Sequence, residues 1–137
     1  MDWAAYTDSF TNVMHERPTI QEWVDETVRE ILVKRPKKVV EMGCGKGMIL
    51  FKVAGASCVE EYVGCDLSRL AVKHVERVFK SHVAPTLSHE CRLSTHVRDA
   101  SNFAGLADQG FDAVVCNGVS MYFPSVGYLV DVLRAGL

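Results

Sequence analysis

The stretch Val39-Val40-Glu41-Met42-Gly43-Cys44-Gly45-Lys46-Gly47 places glycine at every second position directly after a β-branched run. Such a run reads as a strand ending in a tight turn, and the amphipathic segment from Met48 to Ala56 reads as the helix that follows. Glycines in the turn can take φ > 0 and let a ligand approach the backbone with no Cβ in the way. The helix start adds unpaired N–H groups and the positive end of a dipole, which suit a polar or anionic ligand group. Asp66 stands at the end of the next apolar run, about 20 residues on. In a strand–helix–strand unit, a carboxylate at that place can accept both ribose hydroxyls of a nucleoside.

Spacing separates this loop from two other glycine-rich loops. The dinucleotide fingerprint G-x-G-x-x-G needs glycine at position 48, where Met48 stands. The phosphate loop G-x-x-x-x-G-K-[ST] needs glycine at 40 and a hydroxyl at 47, where the chain has Val40 and Gly47. An acidic residue at 41 followed by glycines at 43, 45 and 47 remains. This resembles motif I of the class I S-adenosylmethionine-dependent methyltransferases.

The elements that must position these residues are readable in order. Residues 1–17 hold Trp3, Tyr6 and Phe10 in a polar background and read as an N-terminal arm. A helix begins at Thr19, with Thr19 and Glu22 as a capping box and Ile20, Trp23, Val24, Thr27, Val28, Ile31 and Leu32 on one face. Pro36 stops it. Strand one spans Lys38 to Met42, and strand two spans Glu61 to Cys65. Asp66 and Ser68 cap the helix from Arg69 to about His82, whose buried stripe is Ala71, Val75, Val78, Phe79 and Val83. Strand three, Arg92 to Arg98, is less apolar, as edge strands often are. A short helix or turn covers Ser101 to Ala107. Strand four is Phe111 to Cys116, and a last helix is capped by Ser125. Strands alternating with helices imply parallel pairing through right-handed crossovers, with ligands bound beyond the carboxyl ends of the strands. Those four ends are Gly43–Gly47, Asp66, Asp99-Ala100 and Cys116-Asn117, all small, acidic or amide residues.

Composition narrows the function classes. The 137 residues suffice for one domain with a core, and 48% hydrophobic with 23% charged residues is ordinary for a globular protein. A net charge of −2 implies no general attraction to nucleic acid, so none is expected as a partner. The basic run Lys34-Arg35-Pro36-Lys37-Lys38 reads as a helix C-terminus and a solvated loop. The five cysteines are odd in number and lack C-x-x-C; Cys44, Cys65 and Cys116, in or beside expected strands, read as small buried hydrophobes of a reducing, cytoplasmic compartment. Neither they nor the five histidines fall in zinc spacing, so no metal is expected. No apolar run approaches the ~18 residues of a membrane span.

The resemblance implies an α/β Rossmann-like sheet of strand order 3-2-1-4 with helices on both faces, and S-adenosyl-L-methionine as cofactor. It assigns the cofactor site to Glu41, Gly43, Cys44, Gly45, Gly47, Asp66, Leu67, Asp99, Ala100 and Asn117. On it, Glu41 braces the glycine loop by accepting backbone N–H groups, and Asp66 chelates the ribose hydroxyls. Asp99 accepts from the adenine amino group, the Ala100 N–H donates to the ring, and Asn117 lies near the methionine part and the acceptor.

Three further stretches, Glu22–Val28, Gly47–Phe51 and Asn117–Leu129, look like the N-methyltransferase domains of nonribosomal peptide synthetases and their free-standing relatives. Two departures stand out. Lys46 occupies a place where that group usually has Ser or Thr, and Ser101-Asn102 a place where it usually has an acidic pair. The likeness implies residues 18–137 as the cofactor-binding domain and methyl transfer to an amine or other small-molecule or peptidyl acceptor, which Asn117 and Tyr122 could orient. No catalytic base is named. The family's sheet continues with three more strands, so the chain is expected to lack them, and strand four is expected to recruit another chain or a second copy along an apolar edge. The alternatives are a cofactor-binding module without catalysis, a truncated fragment, and a nicotinamide oxidoreductase, which Met48 disfavours.

Overall fold

The computed structural model describes residues 17–106 and 109–116. Helix α1 runs Arg17–Leu32, strand β1 Lys38–Met42, helix α2 Met48–Ala54, strand β2 Glu61–Asp66, helix α3 Arg69–Val78, strand β3 Arg92–Val97 and strand β4 Ala113–Val115. The strands form one sheet of order β3-β2-β1-β4, and every neighbouring pair is parallel. This is the order and direction expected of a Rossmann-like sheet. The expected N-terminal arm and the helix after Ser125 lie outside the described residues.

Local chemistry explains the boundaries. Helix α1 starts two residues earlier than expected, which puts Thr19 inside its first turn and Pro18 at its second position, where a fixed φ and a missing N–H do no harm. Past its end, Arg35 takes φ 49°, and its N–H donates to the Leu32 carbonyl just before Pro36. Ile20 and Val24 are buried, but Trp23 is 38% exposed and lies at the margin of the face it was expected to occupy. Helix α3 ends at Val78 and widens into a π-helical turn, Phe79–Val83, closed by a 3₁₀ turn at Ala84–Thr86 that contains Pro85. Its buried stripe is Val72, Val75 and Phe79, so Val72 fills the position expected of Ala71.

The alternation of side chains along β1 and β2 splits the core in two. Val39 and Tyr62 face α1, α2 and α3 and pack with Ile20, Val24, Leu50, Val53 and Val75. Val40, Met42, Val63 and Cys65 face the other way and pack under Phe103 and Leu106. Among the described residues that second face is covered by a turn rather than a helix, so helix cover is seen on one face only. Asp112 joins β4 to the start of β1: its Oδ2 accepts the N–H groups of Lys37 at 2.8 Å and Lys38 at 3.0 Å, and its own N–H donates to the Lys38 carbonyl at 2.8 Å. Lys38 also pairs with Glu61 at 3.6 Å, so the basic run is tied into the sheet at this end. Strand β4 is shorter than expected, and Val114 on the second face is 45% exposed among the described residues. No helix among them is long and apolar enough to cross a membrane.

Leu50 of α2 is fully buried against the sheet. Leu50→Ala should lower unfolding free energy by about 2–5 kcal/mol. Urea denaturation checks this, and an unchanged midpoint would show that α2 does not pack as described.

Candidate functional site

Parallel pairing brings the carboxyl ends of β1, β2 and β3 to one edge of the sheet. Met42 lies opposite Cys65, and Asp66 opposite Val97, so the glycine loop, Asp66 and the turn after β3 are neighbours. The loop is held by its own N–H groups. Gly43 and Cys44 both donate to the Cys65 carbonyl, at 2.7 and 2.9 Å, and Gly45 donates to Asp66 Oδ2 at 2.9 Å. Gly43, Gly45 and Gly47 have φ of 77°, 54° and 87°, the left-handed region that the spacing of glycines anticipated.

The glycines serve different ends. A Cβ on Gly47 would sit 2.7 Å from the Phe51 ring, so this glycine admits the first turn of α2. A Cβ on Gly45 would meet nothing within 4 Å. The backbone at Gly45 therefore borders open space beside the Asp66 carboxylate. Cys44 contributes main chain to this surface. Its side chain is buried, with Sγ 3.4 Å from where a Gly64 Cβ would be, and burial pushes its thiol well above the ordinary value. The thiols of Cys44, Cys58, Cys65, Cys91 and Cys116 are all free.

Asp66 is a hinge between elements. While Oδ2 holds Gly45, Oδ1 accepts the Ser68 N–H at 2.8 Å. Ser68 alone is the N-cap of α3, its hydroxyl accepting the Ala71 N–H at 3.2 Å, so the capping role expected of Asp66 is an Asx turn instead. Leu67 beside it is 68% exposed, an apolar side chain left at the site's rim.

The turn after β3 is rigid. Asp99 Oδ1 accepts from Ser101 twice, from N–H at 2.9 Å and from the hydroxyl at 2.8 Å, and the Asn102 N–H returns to the Asp99 carbonyl. Asn102 Oδ1 accepts the Ala104 N–H. Ser101-Asn102, the pair that departs from the family pattern, thus helps fix the turn through uncharged groups, with the Asp99 carboxylate as acceptor. Ala100 packs on the second core cluster. Arg98, which no motif marks, donates its guanidinium to the carbonyls of Asn102 and Ala104, and its N–H to the Asp66 carbonyl at 3.0 Å. Asn117 and Tyr122 lie outside the described residues.

Glu41 differs from expectation. Its carboxylate, in a residue 2% exposed, accepts the Tyr62 hydroxyl at 2.6 Å, while the loop N–H groups go to Cys65 and Asp66. The physical reason is direction: Glu41 points from the sheet into the helix-covered core, below the loop rather than along it. Tyr62 was legible only as an apolar strand residue, although a buried phenol signals that a polar partner is near. Among the described residues no three His, Cys, Asp or Glu side chains are placed to hold a metal ion.

Residues 40–136 match the family model of a methyltransferase domain. The chain is 36% identical over 135 residues to the nonribosomal peptide synthetase kk1B of Curvularia clavata, covering 98% of this chain and 1% of that protein. It is 34% identical over 140 residues to the chondramide synthase cmdD of Chondromyces crocatus, covering 99% and 3%. The chain thus spans a few per cent of the length of these curated relatives. Among solved structures it is similar to magnesium protoporphyrin IX methyltransferase of Synechocystis PCC 6803 with bound S-adenosylmethionine, at TM-score 0.67 and 20% identity, over 87% of this chain and 54% of that one. A methyltransferase of Clostridium acetobutylicum superposes at TM-score 0.63 and 20% identity, over 85% and 44%.

Burial of Glu41 raises its carboxyl from 4.5 to about 7; the Tyr62 hydrogen bond opposes the shift and the Asp66 charge adds to it. Below pH 4.5 the carboxyl is protonated in folded and unfolded chains alike. Between 4.5 and 7 the unfolded chain releases a proton that the fold retains, so stability falls as pH rises, by on the order of 3 kcal/mol in all. Glu41→Gln has no such titration. Its stability relative to wild type should rise by on the order of 3 kcal/mol from pH 4 to pH 8, measured by urea unfolding. A difference independent of pH would contradict the burial of this carboxylate.

Proposed function

Since the chain belongs to the class I S-adenosylmethionine-dependent methyltransferase family, we propose that it binds S-adenosyl-L-methionine at this edge of the sheet and transfers methyl to an amine acceptor. The observation that carries the reading is the open space bordered by Gly45, beside a carboxylate with acceptor capacity to spare. A carboxylate offers about four acceptor positions. Gly45 and Ser68 each use one of Asp66, one per oxygen, which leaves room for two vicinal ribose hydroxyls.

The residues fit the group part by part. The Gly43–Gly47 main chain takes the methionyl portion at Gly45, where a Cβ would meet nothing within 4 Å. Asp66 takes the ribose, and exposed Leu67 covers one face of the base. Asp99 and the Ala100 N–H take the base edge, on a turn that Ser101 and Arg98 hold rigid. Asn117 lies outside the described residues and keeps the role that the family resemblance implies, near the methionyl part. The bound cofactor supplies an electrophilic methyl on a sulfonium, and the chain's contribution is alignment and exclusion of water. An amine acceptor attacks in its neutral form, so its proton leaves to solvent or a base. Several relatives, kk1B among them, are named nonribosomal peptide synthetases, which supports the amine of an amino acid or peptide as acceptor.

Two variants test the site by calorimetry. Asp66→Ala should weaken S-adenosylhomocysteine binding about tenfold to a hundredfold, because hydrogen bonds to a charged acceptor contribute roughly 1.5–3 kcal/mol. Unchanged affinity in the folded variant would remove Asp66 from the site. Gly45→Val should abolish binding while the far-ultraviolet spectrum stays near wild type, and wild-type affinity would show that the loop faces no ligand.

A further inference from the structure

Tyr62 carries no role in the site as read so far, although it is fully buried and its hydroxyl touches the acidic residue that opens the glycine loop. Strand register explains how it arrives there. Val39 lies opposite Tyr62 and Glu41 opposite Gly64, so Tyr62 and Glu41 are diagonal neighbours on the helix-covered face. Gly64 puts no side chain opposite Glu41. A Cβ there would lie 2.8 Å from Leu50 Cδ1 and 3.4 Å from Cys44 Sγ, so α2 and the loop close over this spot. The phenol two residues back on β2 is the group that reaches the carboxylate.

We propose that Tyr62 is a positioning residue of the cofactor site, whose hydroxyl orients the Glu41 carboxyl beneath the glycine loop, favours its ionised form and thereby ties donor affinity to pH. The inference rests on the reading of that loop as the donor site. The Tyr62 hydroxyl donates to Glu41 Oε2 at 2.6 Å, and a donor there favours the ionised acid. Burial and the Asp66 carboxylate oppose it, and the balance leaves the acid titrating at about 7. Among the described residues, the other titratable groups that feel Glu41 are the thiols of Cys44 in the loop, Cys65 on β2 and Cys116 after β4. All three are pushed upward and stay protonated in this range, so Glu41 is the member of the cluster that changes charge near neutrality. Ionised, it sets a negative charge below a loop that would face a ligand carrying an ammonium and a sulfonium. Protonated, it withdraws that charge.

Calorimetric titration of the full chain with S-adenosylmethionine at pH 5.5, 7 and 8.5 tests this in wild type, Tyr62→Phe and Glu41→Gln. The ratio of variant to wild-type Kd at each pH cancels titration of the ligand itself. For Glu41→Gln the ratio should be near one at pH 5.5 and about tenfold at pH 8.5. For Tyr62→Phe, where the acid ionises at higher pH, it should be near one at pH 5.5, severalfold at pH 7, and back toward one at pH 8.5. A ratio constant across the three pH values for either folded variant would make the pair a packing contact and overturn the inference. If Tyr62→Phe does not fold, the Glu41→Gln ratio decides alone. Absence of binding by wild type at every pH would overturn the donor-site reading and this inference with it.

Discussion

The structure hangs on the carboxyl end of β2, where a single strand terminus accepts three consecutive N–H groups of the glycine loop. The Cys65 carbonyl takes Gly43 and Cys44, and the Asp66 carboxylate takes Gly45. A loop with three left-handed glycines has many accessible conformations when free, so ordering it costs conformational entropy. Anchoring it to the neighbouring strand offsets that cost and sets the distance between loop and carboxylate. The same carboxylate holds the start of α3, and the Asp66 carbonyl receives Arg98 from β3. One residue therefore registers three strand ends against one another.

Much of this was legible in the sequence. The bounds of β1 match their apolar run, because Lys38 and Gly43 punctuate it on both sides. Asp66 and the glycines were identifiable as residue types that only make sense at a strand end and in a left-handed turn. The polar contacts across the sheet were not legible, since they depend on register. Glu41 and Tyr62 are far apart in sequence and meet because strand register makes them diagonal neighbours on one face of the sheet. Arg98 likewise acts through two carbonyls of the turn after it, and carbonyls leave no trace in residue type. Helix faces were read to within one residue, and Val72 for Ala71 shows the limit: a rotation of about 100° decides which of two adjacent small apolar residues is buried.

A buried acid titrating at about 7 lowers stability at neutral pH, so Glu41 works against the packing that surrounds it. The turn after β3 shows the opposite economy. Ser101 and Asn102 replace an acidic pair with neutral donors and acceptors, and the turn keeps its shape through Arg98 and through Phe103 and Leu106 buried below. The turn after β3 is thus held by its own side chains, while Glu41 lies buried beneath the glycine loop.

The central claim is that the carboxyl edge of this sheet is a nucleoside site for a methyl donor. Calorimetric titration of the chain with S-adenosylhomocysteine and, separately, with NAD addresses it most directly. Saturable one-to-one binding of S-adenosylhomocysteine with no detectable heat from NAD is the predicted result. Binding of NAD in preference, or of neither ligand, would contradict the account.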